Sequence, residues 1–70
     1  MLKNSELKRV IRSSELYPVT GLRKTQIAAL IARGQFPKPI KLTDGGRAKG
    51  WIEAEIVSWQ TARLAKRDAA

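Results

Sequence analysis

The side chains best suited to binding chemistry lie next to one another near the middle of the chain. Residues 23–26 read Arg-Lys-Thr-Gln, and each of these side chains can donate hydrogen bonds. On DNA, Arg and Lys can pair with guanine, Gln with adenine, and Thr with a phosphate or a base. Further basic side chains follow at short intervals. The candidate binding residues are Arg23, Lys24, Thr25, Gln26, Arg33, Lys41, Arg47 and Lys49.

The composition argues against catalysis and metal binding. The chain has no cysteine and no histidine, which removes disulfides, thiolate ligands and the commonest general base. Its six acidic residues are scattered, and 70 residues are too few to build a deep cleft. We therefore expect no enzyme activity, no metal site and no cofactor.

The charge of the chain predicts a polyanion as the partner. Fourteen Lys and Arg residues face six Asp and Glu residues, a formal net charge of +8. A small domain this basic most often binds nucleic acid. An anionic membrane is the main rival, but a membrane-surface helix concentrates its bulky apolar residues on one face, and here they are spread over several short elements.

The sequence also predicts a single domain inside the cell. Hydrophobic residues make up 43% of the chain, which indicates a folded rather than a disordered protein. No apolar stretch approaches the ~20 residues of a membrane span, and the N-terminus lacks the apolar core of a signal peptide. We expect a cytoplasmic, nucleoid-associated protein without membrane contact.

A short helix is predicted to carry the first candidates. Thr20-Gly21-Leu22 has the composition of a tight turn between helices. From Arg23 onwards the apolar residues recur with helical spacing over roughly three turns, until Gly34 ends the helix. We interpret this as the recognition helix of a helix-turn-helix spanning residues 13–34, with the helix start toward DNA bases. The alternative is an ordinary amphipathic helix with a solvated basic end.

The preceding residues are predicted to form a lead and a first helix. Residues 1–12 read as a polar lead, with a weak edge strand in which Val10 and Ile11 anchor the lead to the core. The first helix should cover residues 13–20 and be capped by Ser13 or Ser14. We expect Leu16 and Val19 to pack on the apolar stripe of the recognition helix, and Tyr17 to lie at the edge of the core.

After the recognition helix, the pattern predicts a hairpin and a last helix. Residues 39–52 alternate around the turn Asp44-Gly45-Gly46, the signature of a β-hairpin. Its three cations make it a candidate wing that grips phosphates or the minor groove; otherwise it is a solvated hairpin that closes the core. Residues 53–67 should form the last helix, clamped to the hairpin by Trp51 and Trp59. Basic residues near its end suit the helix dipole, and exposed Val57 or Leu64 could face a partner.

This order of features resembles the AlpA family of short prophage-type transcriptional regulators, relatives of the excisionases in the MerR-like winged helix-turn-helix group. The matching residues cover most of the domain: Thr20-Gly21-Leu22, Ile27, Leu30-Ile31, Arg33-Gly34, Phe36-Pro37-Lys38-Pro39, Ile40-Lys41-Leu42, Arg47, Gly50-Trp51, Glu55-Ile56 and Trp59. The resemblance implies an α+β winged helix-turn-helix, mainly helical with a small hairpin. It further implies a regulator that binds double-stranded DNA in a prophage or integrative element, with residues 23–26 and Arg47 facing the DNA.

Several alternatives stay open at this point. The resemblance equally allows a recombination directionality factor whose partner is a phage-type integrase. Family members often carry an aromatic and a basic residue where this chain has Ala28 and Ala29, so we expect its contacts at the helix start, Arg33 and the wing. One small module reads few base pairs, which predicts self-association on repeated DNA sites. RNA binding is disfavoured because the aromatic residues are assigned to packing, and a protein-only adaptor is the remaining alternative.

Overall fold

The computed structural model describes residues 7–69. The first six residues of the predicted polar lead therefore lie outside the described residues. Three helices and three short strands follow one another in the order β1 (Val10–Ile11), α1 (Ser13–Thr20), α2 (Lys24–Ala32), β2 (Ile40–Lys41), β3 (Lys49–Ile52) and α3 (Glu53–Ala69). This is the mixed α+β arrangement that the sequence predicted. Within residues 7–69, no helix combines the length and apolar character needed to cross a bilayer.

The strands form one antiparallel sheet with β3 in the centre, in the order β1-β3-β2. On one side Val10 pairs with Ile52, and on the other Ile40 pairs with Gly50. The predicted edge strand in the lead is thus confirmed as β1, and the predicted hairpin as β2 and β3. The connection continues into α3, where the Glu53 N–H donates to the Arg9 carbonyl at 2.8 Å.

A small apolar core joins all three helices to the sheet. Its buried members come from six different segments of the chain: Ile11, Leu16, Ile27, Phe36, Trp51 and Ile56. The Phe36 ring meets both tryptophans edge-on, with centroids 6.4 Å from Trp51 and 4.9 Å from Trp59. The two indole N–H groups donate to the carbonyls of Pro37 and Gln35, at 2.8 and 2.9 Å. The loop after α2 is therefore fixed by packing and by hydrogen bonds together, since both indole N–H groups donate to its carbonyls.

Three predictions about the first segment are wrong. Neither serine caps α1: the capping residue is Arg12, whose backbone N–H donates to the Glu15 carboxylate at 2.9 Å. Val19 does not pack in the core but is 44% exposed, since it lies on the outer side of α1. Val10 is also exposed, so Ile11 alone of that pair reaches the core, as alternation along a strand requires.

The helix boundaries lie close to those predicted. Helix α1 covers residues 13–20 with Pro18 inside it. Helix α2 begins one residue later than its pattern suggested, because Arg23 is the extended residue that precedes it. Helix α3 runs to Ala69, two residues beyond the predicted end at 67, since nothing in the sequence there breaks a helix.

Candidate nucleic-acid interface

The turn between α1 and α2 sets the angle at which α2 leaves the body of the protein. Gly21 has a φ of 77°, in the left-handed region that glycine adopts without strain, and its N–H donates to the Tyr17 carbonyl at 2.7 Å. The Thr20 hydroxyl donates to the Leu16 carbonyl at 2.7 Å and accepts the Leu22 N–H at 3.1 Å. These bonds hold both sides of the corner, so the start of α2 is presented in one orientation.

At that start, Gln26 is partly engaged by the helix itself. Its side-chain oxygen accepts the backbone N–H of Arg23 at 3.0 Å. This bond satisfies one of the backbone donors near the helix start that lack an intrahelical acceptor. The amide NH₂ of Gln26 stays available as a donor, while Lys24 and Thr25 are exposed on the next positions. Residues 23–26 therefore form one compact set of donors at the positive end of α2.

Arg23 is held by a contact that sequence reasoning missed. Its guanidinium lies over the Tyr17 ring, 4.5 Å from the centroid, and one nitrogen is 3.4 Å from the Tyr17 hydroxyl. Tyr17 is 49% exposed and is not part of the buried core. Its ring is therefore open to the Arg23 guanidinium. Tyr17 lies in α1 and Arg23 just before α2, and the two meet only because of the turn between the helices, so no local spacing signals the contact. Stacking a guanidinium on an aromatic face restricts its rotamers and leaves its N–H edge free to bond.

At the opposite end, α2 closes as predicted at Gly34. This residue has a φ of 71°, its N–H donates to the Ile31 carbonyl, and the Gln35 N–H donates to the Leu30 carbonyl at 2.8 Å. This is the Schellman arrangement of a glycine-terminated helix. Arg33 is exposed beside it, nine positions from Lys24, which is about 13 Å along the axis. The structure does not bring Arg33 together with residues 23–26.

The hairpin brings two of its three cations together. Lys41 on β2 is the register partner of Lys49 on β3, and both side chains are exposed. The Leu42 N–H then donates to the Ala48 carbonyl at 2.9 Å, which closes the hairpin. Arg47 lies in the loop beyond this bond and is exposed as well. Like charges directly opposite each other on neighbouring strands repel, so this pair costs stability unless an anion binds there.

The α2 face that points away from the protein carries small residues. Thr25, Ala28, Ala29 and Ala32 are all exposed, and none of them belongs to the core or to the half-buried residues that pack against it; we call this the uncovered face of α2. Long side chains are found at the start of α2 and past its end, but not along this face. Another surface can therefore approach the α2 backbone closely.

Comparison with known proteins adds a family to this geometry. The model of the family described as prophage CP4-57 regulatory protein (AlpA) matches residues 9–64. The chain is also similar to the uncharacterised protein ORF88 of enterobacteria phage P4, with 34% identity over 59 residues. That alignment covers 84% of this chain and 65% of the phage protein, so the chain spans slightly less than two thirds of its relative's length. No solved structure matches the chain significantly.

Proposed function

This chain belongs to the AlpA family of prophage regulatory proteins, and we propose that it is a transcriptional regulator that binds specific sites in double-stranded DNA. In this proposal α2 lies in the major groove. The hairpin of β2 and β3 is the wing and lies on the flanking backbone or the minor groove. The DNA would be that of a prophage or integrative element, which places the protein at the nucleoid in the cytoplasm.

The uncovered face of α2 is the observation that carries the proposal. A surface helix normally exposes long polar residues opposite its apolar stripe, whereas α2 exposes three alanines and Thr25. A smooth face of this kind lets the helix enter the major groove, which admits a single helix. The four donors at residues 23–26 then reach base edges, as the N-terminal part of a recognition helix does. The three alanines contribute contact with thymine methyl groups and no hydrogen bonds.

The wing supplies the second support. Lys41 and Lys49 face each other across the hairpin without an acidic neighbour in either strand. A phosphate between or beside them removes their repulsion and releases counterions from the DNA. Arg47, in the loop two residues before Lys49, adds a third exposed cation to the hairpin. We assign the wing to backbone contacts, which position a protein on DNA, and α2 to the contacts that read sequence.

Partners beyond DNA follow from the small size of the interface. One recognition helix and one wing read only a few base pairs, so we propose that several copies bind repeated sites side by side. The alternative function, a directionality factor for excision, uses the same DNA surface together with a phage-type integrase. The two functions differ in the reaction that depends on the protein, namely transcription of a neighbouring gene or excision by the recombinase.

The proposal is tested by titrating the protein against duplex DNA from upstream of its own gene cluster, beside a scrambled duplex, at two salt concentrations. We expect a preference of roughly 10³ or more for the true site, which survives the higher salt. Lys24→Ala should reduce this preference, because it removes a base contact. Arg47→Ala should weaken binding to both duplexes and leave their ratio nearly unchanged, because it removes a phosphate contact.

A matched control is Arg9→Ala, which removes one positive charge from the residue directly before β1. Arg9 is paired with Glu53 at 3.3 Å and lies beside the N-terminal end of α3, away from α2. Its loss should change binding less than the loss of either Lys24 or Arg47. Equal, salt-sensitive binding of the wild-type protein to both duplexes would contradict sequence-specific recognition by this chain.

A further inference from the structure

The C-terminal half of α3 faces α2 across an open groove and carries cations that the proposed interface does not use. Trp59, Ala62, Arg63 and Lys66 follow the i, i+3, i+4, i+7 spacing of one helix face. This face lines an open groove together with Leu22, in the turn before α2, and Leu30 of α2. Trp59 and the two leucines are half-buried in this lining, whereas Arg63 and Lys66 are exposed, and we call these two cations the rim of the groove.

The groove lies on the opposite flank of α2 from the sheet. On one flank of α2, Lys24 and Ala28 line a pocket with residues of α1 and with Pro39 and Trp51, where the chain leads into the hairpin. On the other flank, Leu30 borders α3. Between these two flanks lies the uncovered face of Thr25 and the alanines. The recognition helix is therefore bordered on one flank by α1 and the chain that leads into the hairpin, and on the other by α3.

We propose that Arg63 and Lys66 form a second phosphate-binding site, which grips the DNA strand on the flank of α2 opposite the wing. The inference rests on the proposed function, because it uses the same placement of α2. A helix in the major groove lies between two sugar–phosphate strands about 12 Å apart. The wing reaches one of these strands, and the rim of the α3 groove is the basic surface on the side of the other.

The charges on this rim are not accounted for within the fold. The ion pairs among residues 7–69 are Arg9 with Glu53 and Arg67 with Asp68, so neither Arg63 nor Lys66 takes part in one. A cation stabilises the negative end of a helix only within its last turn. That effect covers Lys66, but Arg63 lies six residues before Ala69, where α3 ends. Arg63 and Lys66 are both exposed and are therefore free to bind an anion outside the chain, which the phosphates of the proposed DNA site supply.

The test compares two double variants that carry the same change of charge. Arg63→Ala with Lys66→Ala empties the rim, while Lys8→Ala with Arg9→Ala removes two cations from the opposite face of α3. All four side chains are exposed, so both variants should fold, which circular dichroism checks. Each protein is titrated with the upstream duplex and with the scrambled duplex over a range of salt concentrations.

We expect the rim variant to reduce the slope of log K against log salt by about 1.8, since each lost phosphate contact removes ~0.9. The control should leave the slope nearly unchanged. Ethylation interference on the upstream duplex should show that the rim variant loses contacts with phosphates on one flank, and that Arg47→Ala loses those on the other.

Failure of this inference can be separated from failure of the proposed function. The wild-type protein could bind the upstream duplex selectively while the rim variant shows the same salt dependence and the same ethylation-interference pattern as the wild type. In that case the second phosphate-binding site is refuted, and a protein partner becomes the alternative occupant of the groove. If the wild-type protein binds neither duplex at low salt, both proposals are refuted. If it binds both duplexes equally, the slope still decides whether Arg63 and Lys66 contact phosphates.

Discussion

Replacing Gly50 by alanine should destabilise the protein, because this position has no room for a side chain. Gly50 is buried in β3, the central strand of the sheet. A Cβ atom there would overlap Cγ1 of Val10 and lie 3.2 Å from the carbonyl oxygen of Ile11. The backbone at Gly50 does not need a left-handed φ. Glycine is therefore required by the close approach of β1 and not by backbone conformation.

The size of the effect follows from what must move. Val10 is β-branched and has few χ1 rotamers to choose from, and the Ile11 carbonyl is part of the strand itself. Overpacking of this kind costs about 1–3 kcal/mol, while alanine restricts the unfolded chain and recovers roughly 0.4–1 kcal/mol. The net loss is then about 1–2 kcal/mol, which lowers the Tm of so small a domain by roughly 5–15 °C.

Urea denaturation followed by tryptophan fluorescence measures this loss, since Trp51 adjoins the substituted position. Gly45→Ala is the matched control, because no atom lies within 4 Å of its Cβ position and its φ is not left-handed. We expect this control to be neutral. Adding Val10→Ala to Gly50→Ala should recover much of the lost stability, because Val10 provides the worst overlap and is itself 39% exposed. Wild-type stability of Gly50→Ala, or no recovery in the double variant, would refute the reasoning.

Two further predictions concern the ends of α2. Tyr17→Ala should weaken binding to the upstream duplex about 2- to 5-fold in fluorescence anisotropy, since an exposed cation–π contact is worth ~0.5–1 kcal/mol. Tyr17→Phe keeps the ring under Arg23 and should bind almost normally. Equal losses in both variants would show that stacking does not position Arg23. Gly34→Ala should lower the free energy of unfolding by about 1–2 kcal/mol, the cost of a left-handed residue with a Cβ. Gly34→Asn should lose less, because asparagine tolerates this conformation better. An unchanged free energy of unfolding for Gly34→Ala in chemical denaturation would contradict this.

The helices and the hairpin could be predicted because their ends depend on local chemistry. Gly21 and Gly34 mark positions that need a positive φ, and both have one. The two prolines after Gly34 prevent the helix from continuing, and the turn at residues 44–46 separates two alternating segments. Such signals act within a few residues, so they can be read from the chain without knowledge of its folded form.

The candidate site was only partly predictable for the same reason. Residues 23–26 are adjacent in sequence, so a helix start necessarily groups them. The contact of Tyr17 with Arg23 depends on the angle between α1 and α2. The groove that Arg63 lines depends on the position of α3 relative to α2. From the sequence alone, Arg63 could be assigned only to the polar surface of α3, because the position of α3 relative to α2 is not encoded locally.

The sequence by itself thus determined the family, the order of elements, the turn glycines and the basic start of α2, because each depends on residues close together in the chain. The tertiary structure alone decided that Ile11 is buried while Val10 and Val19 are exposed, since burial depends on which face of an element meets its neighbours. It also decided that α2 is bordered by α1 and the chain leading into the hairpin on one flank, and by α3 on the other. Packing angles between elements are set by the whole core, and no local pattern encodes them.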